Sequence, residues 1–327
     1  MIMKKHSVSR WVAAGHLLIA VLTFILLQSF SSKLVSQMAA ERWRGTSNQP
    51  FSQTSCFFPV GTGPTEEDIL NFREDAVSDL KENGLDGDYL IRDSWCSSGT
   101  LSVGGTRGEW ETDVIAIGGN YFDFHPLTLI NGTYISEDDL MGDRVLLDEN
   151  LAWRLFGGTE LSGKAITVNK VPLVIAGVVA REDDFVSEKA NTSETLLFMS
   201  LEMFSKFKEC QINVYEIVMP EIVRGYSNSL LNSHFSDAVL QTNTRRFSIS
   251  NLLKIIHHFD RLPMQADPVV LPYWENAARC MEVWCSLLFL LSTVSFACAV
   301  VHLIPSLVIY VHYPSRHKRG ENSRSKE

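Results

Sequence analysis

Cysteine is scarce in this 327-residue chain: six residues, none of them in a C-x-x-C pair. Neither a zinc ribbon nor a thiol redox motif therefore has its ligands. No H-E-x-x-H or G-x-S-x-G stretch occurs, which removes the common signatures of zinc proteases and serine hydrolases. Phosphate loops fare no better. The run GGTRGE, Gly104 to Glu109, lacks the terminal Lys-Ser/Thr of a Walker A loop; GGTELSGK, Gly157 to Lys164, is followed by Ala165 where Ser or Thr is needed. The acidic clusters Glu137, Asp138, Asp139 and Glu182, Asp183, Asp184 do not alternate around a Gly turn as calcium loops do. They read as solvated turns or helix starts. His257 and His258 are adjacent and diverge on a helix, and His125 and His234 stand at no ligand spacing; surface or interface histidines are expected. No nearby His activates Cys56 or Cys96. No catalytic, cofactor-binding or metal-binding residue is expected.

Basic residues are also few between the chain ends. The whole chain carries a formal charge of −9, although both termini are basic. The intervening segment is thus more acidic still, which speaks against nucleic acid or an anionic surface as its main partner.

What is present is two long apolar runs. Residues 11–30 and 283–311 contain no Asp, Glu, Lys or Arg, and a bilayer core needs about 20 helical residues. Pro305 is a candidate kink in the second. The first run follows Lys4, Lys5 and Arg10, but it exceeds a signal peptide's apolar core and is followed by a poor cleavage site. It is expected to be an uncleaved anchor. The tail contains Arg316, Lys318, Arg319, Arg324 and Lys326. By the excess of Lys and Arg, both ends are cytoplasmic and the middle is exported. The expected layout is a cytoplasmic N-terminus 1–10, spans 11–32 and 283–311, an extracytoplasmic domain 33–282 and a basic tail 312–327. His16 and Gln28 in the first span and His302 in the second are candidate helix–helix contacts, since polar groups within a bilayer face protein. In an oxidising compartment, Cys56 and Cys96 are a candidate disulfide.

The exported segment alternates strand-like and helix-like stretches, predicting an α+β domain. Residues 31–44 read as an extension of the first span, and 45–64 as polar and turn-rich, with a candidate strand at Cys56 to Val60. Thr65 and Asp68 form a capping box for a helix with Ile69, Phe72, Ala76, Val77 and Leu80 inward and Gly84 as its stop. Strands are predicted at DYLIRDSWC, DVIAIGGNYFDF, DRVLLD and INVYEIVMP. ENLAWRLFG is a short helix capped by Gly157. The alternation of KAITV and VPLVI about Asn169-Lys170 predicts a hairpin. TLLFMSLEMFSKF is a strand running into a helix; EIVRGYSNSLLNSHF and NLLKIIHHFDRL are helical; YWENAARCMEV enters the second span as one continuous helix.

The run Gly118 to Val179 adds an order of landmarks: Tyr121-Phe122, NGTY, VLLDE, LAWRLFG, GKAITV and VIAGVV. In this order and spacing it resembles the exported core domain of MacB/FtsX-type ABC transporter permeases. The resemblance implies a porter-like subdomain from 45–113 and 212–275, with a sabre-like subdomain inserted at 114–211. It implies a bacterial inner-membrane protein that transmits movement between membrane helices and the outer domain, without chemistry of its own. It also implies an ABC ATPase and/or a four-span permease as partner, in a homo- or hetero-oligomer. Family permeases have four spans and this sequence has two. An accessory subunit or a split permease is therefore expected, ahead of the third alternative, a truncated gene, with the rigid stretches near 31–44 and 272–282 forming a stalk. The other reading is a two-span envelope binding or sensing protein that acts without an ATPase; a hydrolase is the least supported.

Overall fold

The computed structural model describes residues 2–46, 48–85, 90–135, 142–257 and 269–312, with 2–8 and 305–312 as helical backbone. The chain falls into two compact units. One comprises Lys33–Ser248 with Arg261–Cys280, the other Met1–Ser32, Ile249–Asp260 and Met281–Glu327.

The larger unit is built on a ten-stranded sheet. Its strands are β1 Phe51–Phe57, β2 Arg92–Gly105, β3 Gly108–Gly119, β4 Leu129–Gly132, β5 Arg144–Asp148, β6 Ala165–Val168, β7 Val171–Val179, β8 Leu196–Ser200, β9 Val214–Pro220 and β10 Val239–Thr242. The spatial order is β10-β1-β9-β2-β3-β8-β5-β7-β4, with β6 bridging β2 and β7. Most neighbours are antiparallel; β3 with β8 and β5 with β7 are parallel. The order divides at the β2–β3 hairpin. To one side lie strands from 51–105 and 214–242, to the other strands from 108–200.

The helices of this unit are α2 Ala39–Arg44, α3 Glu66–Glu82, α4 Tyr121–Phe124, α5 Glu149–Phe156, α6 Phe185–Ala190, α7 Leu201–Ser205 and α8 Tyr226–His234. Four of them, α3, α5, α7 and α8, contribute Phe72, Leu151, Phe204 and Leu231 to one apolar cluster with Cys56, Tyr215 and Ile217 of the sheet. The opposite face carries a second cluster, with Phe57, Cys96, Val214, Tyr121, Leu271 and Trp274. Alternation along each strand sends neighbouring residues to opposite faces.

Local chemistry accounts for the element ends. Thr65 and Asp68 exchange side-chain-to-backbone bonds as a capping box before α3. Asp148 accepts from Leu151 N at the start of α5, and Gly157 closes that helix at φ 79°, where a side chain would also strike Arg107. The β6–β7 turn places Asn169 at φ 45° and Lys170 at φ 72°. Both are left-handed, as a two-residue hairpin turn requires.

Several expectations are corrected. Residues 45–64 contain β1, a fully buried inner strand that begins five residues before the expected one. Its polar run Ser52-Gln53-Thr54-Ser55 hid it; burial is tolerated because these groups are hydrogen-bonded. The region 31–44 is not a helical extension of the span. α1, Ile2–Ser31, stops, and a 3-10 turn, Val35–Gln37, precedes α2. Cys56 and Cys96 are free buried thiols. They pair with adjacent residues of the intervening β9, Tyr215 and Val214, so they face opposite sides of the sheet. Strands two places apart also separate their Cα atoms by about 9–10 Å, beyond disulfide reach.

In the smaller unit, α1 meets α10, Tyr273–His312, whose first turns belong to the sheet-bearing unit. Segments Ser9–Ser31 and Tyr273–Ile304 are long and apolar enough to cross a membrane. They pack through small residues, with Ala13 and Ala20 buried on one and Ser295 and Ala299 on the other. α9, Ile249–His257, completes this unit.

The strain at Lys170 generates a test. Lys170→Gly removes a left-handed non-glycine residue whose cost is about 1–2 kcal/mol. It is expected to raise stability by up to about 1 kcal/mol, read as a higher urea midpoint of the purified protein.

Candidate functional site

The polar residues of the second face form a connected chain through the buried interior. Glu216 on β9 is opposite Ser55 on β1. Its two carboxylate oxygens are held separately: Ser55 Oγ donates to Oε1 at 2.5 Å, and His125 Nε2 bonds Oε2. Asn243 Nδ2 donates to Ser55 Oγ at 2.8 Å. Arg246 Nη1 in turn donates to Asn243 Oδ1 at 3.3 Å. Arg246 then grips Glu275 with both terminal nitrogens, at 2.7 and 2.9 Å. Arg279 Nε donates to Glu275 Oε1 at 2.7 Å, one helical turn on.

Arg246 and Glu275 are each 1 % exposed. Burying two charges costs several kcal/mol each unless geometry and further hydrogen bonds offset it. Here the bidentate fork is the strong form of the contact, and Arg279 supplies a second cation. Arg246 Nη1 also reaches Gln37 Oε1 at 3.0 Å. Gln53 continues the linkage: its Nε2 donates to Ser36 O at 2.8 Å, and its Oε1 accepts from Ala39 N at 2.9 Å, satisfying the start of α2. One buried node therefore joins the turn after α1, strands β1 and β9 of the sheet, the segment after β10 and the first turn of α10.

Aromatic rings pack around it. His125 lies 4.4 Å from Trp274 and 4.7 Å from Tyr121, centroid to centroid. Burial pushes the Cys56 and Cys96 thiols and the Tyr121 hydroxyl up, with Glu216's charge adding to each. The Glu182 carboxyl is also raised: loss of water outweighs the hydrogen bond from Tyr273 and the pull of His125. Raised in this way, neither thiol is an activated thiolate. Ser55 bonds Glu216 rather than His125 and is 1 % exposed, so the Ser–Glu–His grouping lacks both the order and the access of a hydrolytic triad.

The sequence-derived candidates are placed as follows. His16 and His302 stack in the smaller unit, with centroids 6.1 Å apart. Ser9 Oγ donates to His302 O and Ser292 Oγ to Ala20 O, both at 2.9 Å, stitching the two helices. Gln28 is exposed on α1. His125, expected at a surface or interface, is buried at the heart of the node. His234 pairs with Asp75 at 3.2 Å, and His257 is exposed on α9. Asp184 caps α6. Glu137, Asp138, Asp139, His258 and the basic tail lie outside the described residues. Sequence reasoning did not reach Arg246, Glu216 or Gln53. The one signal for the node was the i, i+4 pair Glu275–Arg279 at the mouth of an apolar helix.

A cleft of about 330 Å³ adjoins the node, lined in part by Ser97, Thr100, Leu271, Tyr273, Trp274 and Asn276. Trp274 Nε1 and Asn276 Oδ1 are buried without a hydrogen-bond partner among the described residues.

These features define a class: an α+β domain on one sheet, fastened internally to the root of an apolar helix, in a chain with two helices able to span a membrane. Comparison with known proteins gives the family. The model of the MacB-like periplasmic core domain matches residues 17–222, and the chain belongs to that family. It is 25 % identical over 228 residues to the macrolide export ATP-binding/permease protein MacB of Neisseria meningitidis serogroup A, covering 67 % of this chain and 32 % of that one. A MacB of Chromobacterium violaceum is 39 % identical over 72 residues, 21 % of this chain and 11 % of the other. This chain thus spans about a third of the length of the first of these relatives. Among solved structures, the periplasmic region of MacB from Actinobacillus actinomycetemcomitans aligns with TM-score 0.43 and 19 % identity, over 67 % of this chain and 98 % of that one. The extracellular domain of the Gram-positive transporter YknZ aligns with TM-score 0.40 and 16 % identity, over 58 % and 98 %.

Two tests follow. Glu275→Gln leaves Arg246 buried without its carboxylate and is expected to cost about 3–5 kcal/mol. Arg246→Met combined with it is expected to cost less than the sum of the single changes, by about 0.5–3 kcal/mol; denaturant unfolding of the three variants measures both. For Glu182, a raised folded pKa means the folded state holds its proton to higher pH than the unfolded chain. Stability therefore falls as pH rises from the ordinary carboxylate pKa to the raised one. Glu182→Gln is expected to remove that fall, leaving the Tm higher near neutral pH and unchanged in acid.

Proposed function

We propose that this chain is a non-enzymatic, permease-like membrane subunit of an ABC-type transport complex, whose outer domain and membrane helices move together. The carrying observation is the buried node. Arg246 holds Glu275 in the first turn of α10, Gln37 after α1 and, through Asn243 and Ser55, Glu216 on β9. A displacement of the α10 root breaks buried charge-assisted bonds unless the sheet follows. Such a contact transmits movement rather than absorbing it.

In this reading, both termini are cytoplasmic and the sheet domain is extracytoplasmic, in a bacterial inner membrane. The division of the sheet at the β2–β3 hairpin supports reading a porter-like part, 45–113 with 212–275, and an inserted part, 114–211, although Gly108–Asp113 of β3 lie on the inserted side of that division. The helix contacts are His16 and His302, and the exposed Gln28 has no part in them. ATP hydrolysis belongs to a separate ABC ATPase, with or without a four-span permease, in an oligomer. The relatives' macrolide export supplies the transport class; the cargo of this chain is not carried over from it.

The cleft beside Trp274 favours a second reading, an envelope protein that binds a small ligand and works without an ATPase. Affinity purification of the full chain from native membranes in mild detergent separates the two. Recovery of an ABC-type ATPase or a four-span permease is the expected result. Repeated recovery of neither, with a phenotype that survives deletion of every candidate ATPase gene, overturns the proposal in favour of the second reading.

A further inference from the structure

α9 is a nine-residue helix, ISNLLKIIH, whose apolar residues do not all face the protein. Leu252 is buried at 1 % exposure, and Ile255, one turn on, is half-buried. Ile249 and Leu253 are 59 % and 52 % exposed, and Ile256 is half-buried. The spacing i, i+4, i+7 stacks Ile249, Leu253 and Ile256 into one ridge. Lys254 lies on the other side of the helix, with Ser250, Asn251 and His257 around it. An apolar ridge of this kind costs roughly 25 cal/mol for every Å² left in water, so it calls for an occupant.

Two independent observations identify that occupant. First, α9 belongs to the compact unit whose other helices are α1 and α10, the two able to cross a membrane. At 1.5 Å per residue it is about 13 Å long, too short to cross and well suited to lie along a surface. Second, its charge is anomalous for this chain. The protein as a whole is acidic, at −9, yet residues 238–257 contain no Asp or Glu, and outside the buried Arg246 they carry the exposed Arg245 and Lys254. An amphipathic helix with an apolar ridge, a cationic far side and no carboxylate suits the boundary between lipid headgroups and acyl chains, where anionic lipids favour the charge.

We infer that α9 is an interfacial membrane helix, with the Ile249–Leu253–Ile256 ridge immersed in lipid beside the two spans. It rests the chain on the membrane surface between the end of the sheet and the start of α10. The inference stands whether or not the chain works with an ATPase.

The test uses the full chain reconstituted in vesicles of phosphatidylethanolamine and phosphatidylglycerol. Cys210, Cys280 and Cys298 are replaced by Ala, and single cysteines at 249, 250, 253 and 254 carry an environment-sensitive fluorophore. Probes at 249 and 253 are expected to be quenched several-fold more by doxyl-labelled lipid than those at 250 and 254, and to be shielded from aqueous iodide. Equal lipid quenching at all four positions, or iodide access at 249 and 253, overturns the assignment. Shielding of 249 and 253 from both quenchers also overturns it, because a second protein surface then covers the ridge. Circular dichroism of each labelled chain confirms that the comparison is made on folded protein.

Discussion

A buried Arg246–Glu275 pair is the contact on which the rest of the larger unit depends. Two charges withdrawn from water persist only where hydrogen-bond partners offset the lost hydration, and those partners come from separate parts of the chain. Gln37 belongs to the turn after the first apolar helix, Asn243 to the segment after β10, and Glu275 and Arg279 to the beginning of the second apolar helix. The pair is less a source of net stability than a condition of geometry. Moving one partner exposes the others to an unpaid desolvation cost, so the arrangement favours one register over all neighbouring ones.

The sheet shows why the node sits where it does. On one face, α3, α5, α7 and α8 cover an apolar surface in the ordinary way. On the other, β1 and β9 present Gln53, Ser55 and Glu216, each 2 % exposed or less. Such a surface is not covered by another apolar helix without stranding polar groups. It is covered instead by segments that bring matching donors and acceptors: His125 after α4, the backbone around Ser36 and Ala39, and the Asn243–Arg246 turn. The polar face thus selects the stretches adjacent to the membrane helices as its lid. Sheet and helix root are thereby joined through one buried hydrogen-bond network.

Much of the fold was legible because it rests on local rules. The Thr65–Asp68 capping box, the Gly157 cap, the turn at Asn169-Lys170 and the inward Leu151, Ala152 and Leu155 follow from short-range spacing and backbone preference, and each appears in the structure. β1 was misplaced because its polar residues obey no apolar alternation; their burial is permitted by tertiary partners, Ser36 and Ala39 for Gln53 and, more than a hundred residues away, Glu216 and Asn243 for Ser55. The Cys56–Cys96 pairing failed for a related reason. Sequence gives two thiols in strands, but not the insertion of β9 between those strands, and that insertion sets them on opposite faces.

By itself, then, the sequence determined the two apolar helices, the α+β class, the strand–helix units and the family, since these depend on hydrophobic length, periodicity and neighbouring residues. Only the tertiary structure decided which polar residues matter. A histidine, a glutamate or an arginine has the same letter on a solvated surface and in a buried network. The difference is the company that the sheet order brings, and for His125, Glu216, Arg246 and Glu275 that company is assembled from strands and turns far apart in the chain.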